Sequence, residues 1–231
     1  MNRIAVLGLG LAVASIMACG GDFGGAVKFI SERTEFPAAG LLHLELAVDG
    51  GRVVVIGRDG ATEVTVVPLQ PAGEEMQGQL VAIQGDDTLQ IAGQWDGADR
   101  GVELIVPSNL LLQVAASEGN IDVVGMAVGA QVATQKGNIH VSTSLSADCS
   151  DEDGRKLQVA SEDGDIVVEI PATLNATVKA ATDDGSIDVV DLPLTNGVTH
   201  PQAVQGDLGN GDDVTVEVAT KKGNITLTAL Q

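Results

Sequence analysis

Five short stretches decide how this chain folds: AASEGNID at 115–122, ATQKGNIH at 133–140, ASEDGDIV at 160–167, ATDDGSID at 181–188 and ATKKGNIT at 219–226. Aligned on their glycines (Gly119, Gly137, Gly164, Gly185 and Gly223), all five carry alanine four residues before and isoleucine two residues after. Two residues further on the side chain is aliphatic again: Val123, Val141, Val168, Val189 and Leu227. Alternation of this kind belongs to a strand with one apolar face, not to a helix. Glycine suits a tight turn between an approaching and a departing strand because it reaches positive φ without a Cβ clash.

The glycines are separated by 18, 27, 21 and 38 residues. A coil of about 18 to 21 residues is ordinary for stacked supersecondary repeats. The two longer intervals therefore read as coils with inserted loops, near 143–156 and 194–213, leaving from the same corner. Both are rich in turn formers and acid. Pro107, Pro171 and Pro193 stand where departing strands should end, since proline cannot donate to a ladder. LELAVDGGRVVVIG at 44–57 and LVAIQGDDTLQIAG at 80–93 read as fainter coils. The expectation is an all-β fold, a single-domain β-solenoid of right-handed β-helix character over residues 26–231, with coils stacked in chain order.

Composition fits stacked aliphatic ladders: the 231 residues include 29 glycines and no tyrosine, with three phenylalanines and one tryptophan. A hydrophobic content of 44% is that of a globular protein, so the acidity does not signal disorder. The formal net charge of −20 repels phosphate backbones and anionic head groups, which argues against a nucleic-acid partner and against charge-driven membrane association.

MNRIAVLGLGLAVASIMAC at 1–19 has one arginine, a short apolar run and then small residues. The run is short for a membrane span and reads as a signal peptide over 1–18. Ile16-Met17-Ala18-Cys19 resembles a bacterial lipobox, in which Cys19 would carry lipid and GGDFGG would begin a flexible tether over 19–25. Gly20 would favour the outer membrane in a diderm cell. An ordinary cleavage site at Ala12-Val13-Ala14 is the alternative, and would leave a secreted protein. With Cys19 lipidated, Cys149 stands alone beside Asp148 and Asp151, which would raise its pKa; a Cys19–Cys149 disulfide stays open otherwise.

The repeated word, preceded by an aliphatic-proline strand end, resembles the bacterial candidate-adhesin family of the DUF4097 type, clearly over 100–231 and loosely over 40–99. The resemblance implies an envelope-associated β-solenoid and supplies no catalytic residues. Its partner would be an envelope protein or a glycan.

Few side chains invite chemistry. The residues after the glycines (Asn120, Asn138, Asp165, Ser186 and Asn224) would stack about 4.8 Å apart into a structural ladder. In chain-order stacking, the third and fourth coils would bring Glu162, Asp163, Asp183 and Asp184 together, a candidate Ca²⁺ site weighed against a solvated acidic ridge. Asp148, Asp151, Glu152 and Asp153 in the first insertion, and GNGDDVTV at 209–216, are weaker calcium signals. No catalytic residue or resident cofactor is expected. His43, His140 and His200 are far apart in sequence, and His140 falls on the outward phase. A carbohydrate-active β-helix enzyme or a Ca²⁺-binding surface protein is the alternative function; for the former only Trp95 is available to stack on sugar. The preferred reading is a non-enzymatic, lipid-anchored envelope protein with structural or interaction roles.

Overall fold

The computed structural model describes residues 27–71, 73–74, 78–95, 97, 99–145, 155–211 and 213–230. The expected signal peptide, tether, Cys19, Cys149 and most of the first insertion lie outside the described residues. In chain order the strands are β1 (Val27–Phe29), β2 (Thr34–Pro37), β3 (His43–Asp49), β4 (Arg52–Arg58), β5 (Glu63–Leu69), β6 (Gly78–Gln84) and β7 (Thr88–Trp95). Next come β8 (Gly101–Pro107), β9 (Leu111–Glu118), β10 (Ile121–Met126), β11 (Ala130–Lys136), β12 (Ile139–Thr143), β13 (Lys156–Asp163) and β14 (Ile166–Ile170). The last six are β15 (Ala176–Asp184), β16 (Ile187–Val190), β17 (Thr195–His200), β18 (Ala203–Leu208), β19 (Val214–Lys222) and β20 (Ile225–Ala229).

Two sheets hold these strands face to face around one apolar core. The first, sheet A, runs β1-β6-β7-β3-β9-β11-β13-β19-β15-β18-β17, and the second, sheet B, runs β16-β20-β14-β12-β10-β4-β8-β5-β2. Each repeated word is the turn that carries the chain from a strand of A to a strand of B. Its isoleucine points inward: Ile121, Ile139, Ile166 and Ile225 are essentially inaccessible, and Ile187 in the last coil nearly so. The next inward residue is equally buried in Val123, Val141, Val168 and Leu227. Each such side chain contributes about 1.5–3 kcal/mol by leaving water. The facing rows of sheet A, such as Leu112, Val132, Val159 and Val216, complete the layer.

The coils do not stack in chain order. β13 pairs in parallel with β19, and β19 with β15, so the Gly223 coil lies between the Gly164 and Gly185 coils. At the other end, β3 lies between β7 and β9, so the β7–β8 coil is outside the β3–β4 coil. The 38-residue interval is what permits the reordering. After β16 the chain builds the antiparallel pair β17–β18, which extends sheet A beyond β15, and then returns to fill the rung left open beside β13. The segment expected as an inserted loop at 194–213 is therefore largely strand, and it covers an edge that would otherwise be unpaired.

Two smaller expectations also change. Residues 44–57 do form a coil, but 80–93 form the antiparallel hairpin β6–β7, because the Gly85 N–H bonds the Thr88 carbonyl at 2.8 Å and reverses the chain within one sheet. Pro107 ends β8 and Pro171 follows β14, whereas β16 stops at Val190, three residues short of Pro193.

Candidate functional site

The turn ridge is the most regular surface of the molecule, and its order follows the coils in space. Gly119, Gly137, Gly164, Gly223 and Gly185 follow one another, and each of the first four donates its N–H to the carbonyl of the residue before the next glycine; the Gly119 N–H bonds the Lys136 carbonyl at 2.8 Å and the Gly164 N–H the Lys222 carbonyl at 2.8 Å. A Cβ on Gly137 would overlap the Gly119 carbonyl, one on Gly164 the Gly137 carbonyl, and one on Gly223 the Gly164 carbonyl. Close approach of neighbouring turns explains the glycine even at Gly164, where no positive φ requires it.

Beside the glycines runs a polar ladder. The Asn138 N–H donates to Asn120 Oδ1 at 3.0 Å, the Asp165 N–H to Asn138 Oδ1 at 2.9 Å, the Asn224 N–H to Asp165 Oδ1 at 2.7 Å and the Ser186 N–H to Asn224 Oδ1 at 3.0 Å. Each side-chain oxygen serves the next coil, and Asn120 and Asn138 are exposed, so their side-chain NH2 groups are open to a partner from solution. Three residues before the glycine, in four of the five words, stands a buried hydroxyl that the repeat pattern did not single out: Thr134, Ser161, Thr220 and Thr182, with Ala116 in the remaining word. Thr220 Oγ1 donates to the Gly164 carbonyl at 3.2 Å and Thr182 Oγ1 to the Gly223 carbonyl at 2.9 Å, satisfying turn carbonyls from inside.

The acidic cluster expected at Glu162, Asp163, Asp183 and Asp184 does not assemble. Lys222 is in register with Asp163 on one side and Asp184 on the other, and Lys221 Nζ lies 2.7 Å from Glu162 Oε1. The physical reason is the inserted fifth coil, whose two lysines separate the acids. Along the ridge the residue before the glycine reads Glu118, Lys136, Asp163, Lys222, Asp184, alternating in sign at every step. Lys136 Nζ sits 2.7 Å from Glu118 Oε1, and this hydrogen bond and ion pair lower the Glu118 pKa and raise that of Lys136. Among the described residues no three His, Cys, Asp or Glu side chains gather at metal-binding range.

What does assemble is a half-open groove of about 510 Å³ where the ladder meets the outer face of sheet B. By register, Arg52, Asn120, Asn138 and Asp165 line it as one row, and Asp122, His140 and Val167 as the row two residues further along the strands. The rows follow from register, since Ile121 pairs with Val53 and with Ile139, and Ile139 with Ile166. Arg52 donates to Asp122 Oδ2 at 2.9 Å. His140 lies between carboxylates, with Nδ1 3.5 Å from Asp122 Oδ1 and Nε2 3.7 Å from Glu169 Oε2. The outward phase expected for His140 is what the strand gives it, but its carboxylate neighbours come from the two flanking coils. The signal available in the sequence was the third residue after each glycine, polar in Asp122 and His140; Arg52 carried none, because its coil lacks the repeated word. His43 and His200 lie elsewhere, on β3 and β17. Trp95 is buried at 5% exposure, so it is no platform for sugar.

Groups pinned in this way suit recognition. Asp122 is held by Arg52, and His140 is flanked by carboxylates on both sides. The chain has the fold of a crystal structure from Clostridium sporogenes described as a candidate cell adhesion protein, with a TM-score of 0.58 and 11% identity over 88% of this chain and 100% of that one. A candidate adhesin from Bacteroides fragilis aligns with a TM-score of 0.33 and 12% identity over 88% of this chain and 97% of that one. No curated protein matches the chain in sequence. The Toastrack DUF4097 family matches residues 106–228, from the end of β8 through β20 and so across all five repeated words, and the chain belongs to that family.

Proposed function

We infer that this protein is a non-enzymatic, adhesin-like interaction module of the cell envelope, held at the membrane through lipid on Cys19, with the groove on sheet B as its contact site. The observation that carries the reading is the groove itself: hydrogen-bonding groups from four coils are fixed at rung spacing by backbone register rather than by mobile loops. Rigid presentation of this kind lowers the ordering cost of binding. The description of the Clostridium sporogenes structure as a candidate cell adhesion protein supports the same class of role.

Anchoring and contact are tested separately. Radiolabelled palmitate should enter the full chain and not the Cys19→Ala variant. Beads coated with purified full-length Cys19→Ala protein should bind intact bacterial cells, and beads coated with the same chain carrying Asn120→Asp and His140→Thr in addition should bind fewer. Equal binding by the two preparations would refute the groove as the contact site.

A further inference from the structure

We propose that the groove takes a neutral, hydroxyl-rich chain, an uncharged oligosaccharide strand lying along the solenoid axis, across the direction of the β-strands. This rests on the groove being the contact site and names what it contacts. Three observations lead to it.

The lining mixes donors and acceptors at close intervals. Arg52 and the Asn120 and Asn138 amides donate, Asp122 and the second oxygen of Asp165 accept, and the two ring nitrogens of His140 can serve as one donor and one acceptor. A sugar hydroxyl is both donor and acceptor, so it finds a partner at each of these positions. Charge points the same way. Arg52 is balanced by Asp122 at 2.9 Å, leaving Asp165 uncompensated in the lining, on a chain of net charge −20. An anionic ligand meets repulsion that Arg52, already paired with Asp122, does not offset.

Spacing separates a sugar from a peptide. Neighbouring rungs are about 4.8 Å apart, whereas an extended peptide advances about 3.3 Å per residue and falls out of step within two rungs. A six-membered sugar ring is about one rung wide, so the row from Arg52 through Asn120 and Asn138 to Asp165 offers one polar group per ring. Among the described residues no Phe, Tyr or Trp lines the groove, so each contact is weak, and many anchored copies acting together would supply the avidity.

The test is an amide-shift titration of full-length Cys19→Ala protein with chitotetraose, cellotetraose, tetragalacturonate and hexaglycine. A second titration adds Asn120→Asp and His140→Thr. Asp keeps the acceptor oxygen that Asn138 N–H needs, as Asp165 does for Asn224, and Thr226 already occupies the register position of His140 on another coil. Both substitutions should therefore leave the melting temperature within a few degrees. At least one neutral tetrasaccharide should shift Ile121, Asp122, Ile139 and His140, and the double substitution should weaken it about tenfold, because the carboxylate at position 120 no longer donates, so the sugar hydroxyl bonded there must turn its proton inward and give up the bond it donated, and the shorter hydroxyl at position 140 does not reach where the imidazole did. The proposal falls if neither neutral sugar binds, if tetragalacturonate or hexaglycine binds more tightly, or if the substitutions leave binding unchanged. If the substituted beads lose cells while neither neutral sugar binds, the ligand class falls and the contact site stands. If cell binding is unchanged, both fall.

Discussion

Reversing the two lysines of the last repeat, Lys221→Glu with Lys222→Glu, should loosen the stack at the one place where the chain departs from sequential order. Lys222 is in register between Asp163 and Asp184, and Lys221 lies on Glu162 at 2.7 Å. Both lysines are exposed, so each contact is worth only about 0.4 kcal/mol. Reversal removes three attractive contacts and installs three repulsive ones of similar size, a loss of about 2 kcal/mol at low salt. At 1 M NaCl, with a screening length of about 3 Å, the loss should shrink to well under about 1 kcal/mol. Urea unfolding followed by far-ultraviolet circular dichroism, in 20 mM and in 1 M NaCl, measures the total. Amide exchange at Val218 and Ile225 localises it. Adding Asp184→Lys to Lys222→Glu should recover part of the loss, because the carboxylate introduced at position 222 then faces one cation again. A loss below about 0.5 kcal/mol, or one that 1 M salt leaves untouched, would refute charge alternation as a determinant of coil order.

Gly137→Ala should cost more than Gly60→Ala, since a Cβ at 137 overlaps the Gly119 carbonyl while at 60 nothing lies within 4 Å; thermal melts should show a few kcal/mol for the first and about 1–2 kcal/mol, the left-handed penalty alone, for the second. Thr220→Val, nearly equal in volume, removes the hydroxyl that reaches the Gly164 and Lys222 carbonyls and should cost about 1 kcal/mol in urea unfolding. Replacing 194–209 with a short turn should uncover β15, which pairs with β18 on that side, and light scattering should then report self-association through the bared edge. The Glu118–Lys136 contact should weaken at both pH extremes. The lowered Glu118 pKa makes its contribution present above the ordinary carboxylate value of 4.5 and lost as pH falls through the depressed one. The raised Lys136 pKa makes its contribution present below 10.5 and lost as pH rises through the elevated value. A carboxyl-carbon titration of Glu118, with Lys136→Met as reference, should show the downward shift disappear in the variant.

What the repeat makes legible is the part of the fold governed by one coil at a time. The buried isoleucine, the aliphatic residue after it and the turn glycine each depend on alternation and on the neighbouring rung, whichever rung that is, so aligned words are enough to place Ile121 through Ile225 in the core. Which coil lies beside which is a different kind of information. Isoleucine, alanine and glycine are identical in all five words and so cannot distinguish one neighbour from another; the residue before the glycine can. Read in chain order it runs Glu118, Lys136, Asp163, Asp184, Lys222, which sets two acids side by side; exchanging the last two coils makes every step attractive. That pattern is present in the sequence, yet it looks like a local acidic pair for as long as the apolar repeat is allowed to set the order as well as the fold. The groove is hidden for a related reason. Arg52 belongs to a coil without the repeated word, and it meets Asp122, 70 residues away, only because β4 lies against β10. A solenoid site is assembled across coils, so its members share a register position rather than a motif, and they come into view only when the stacking order is known.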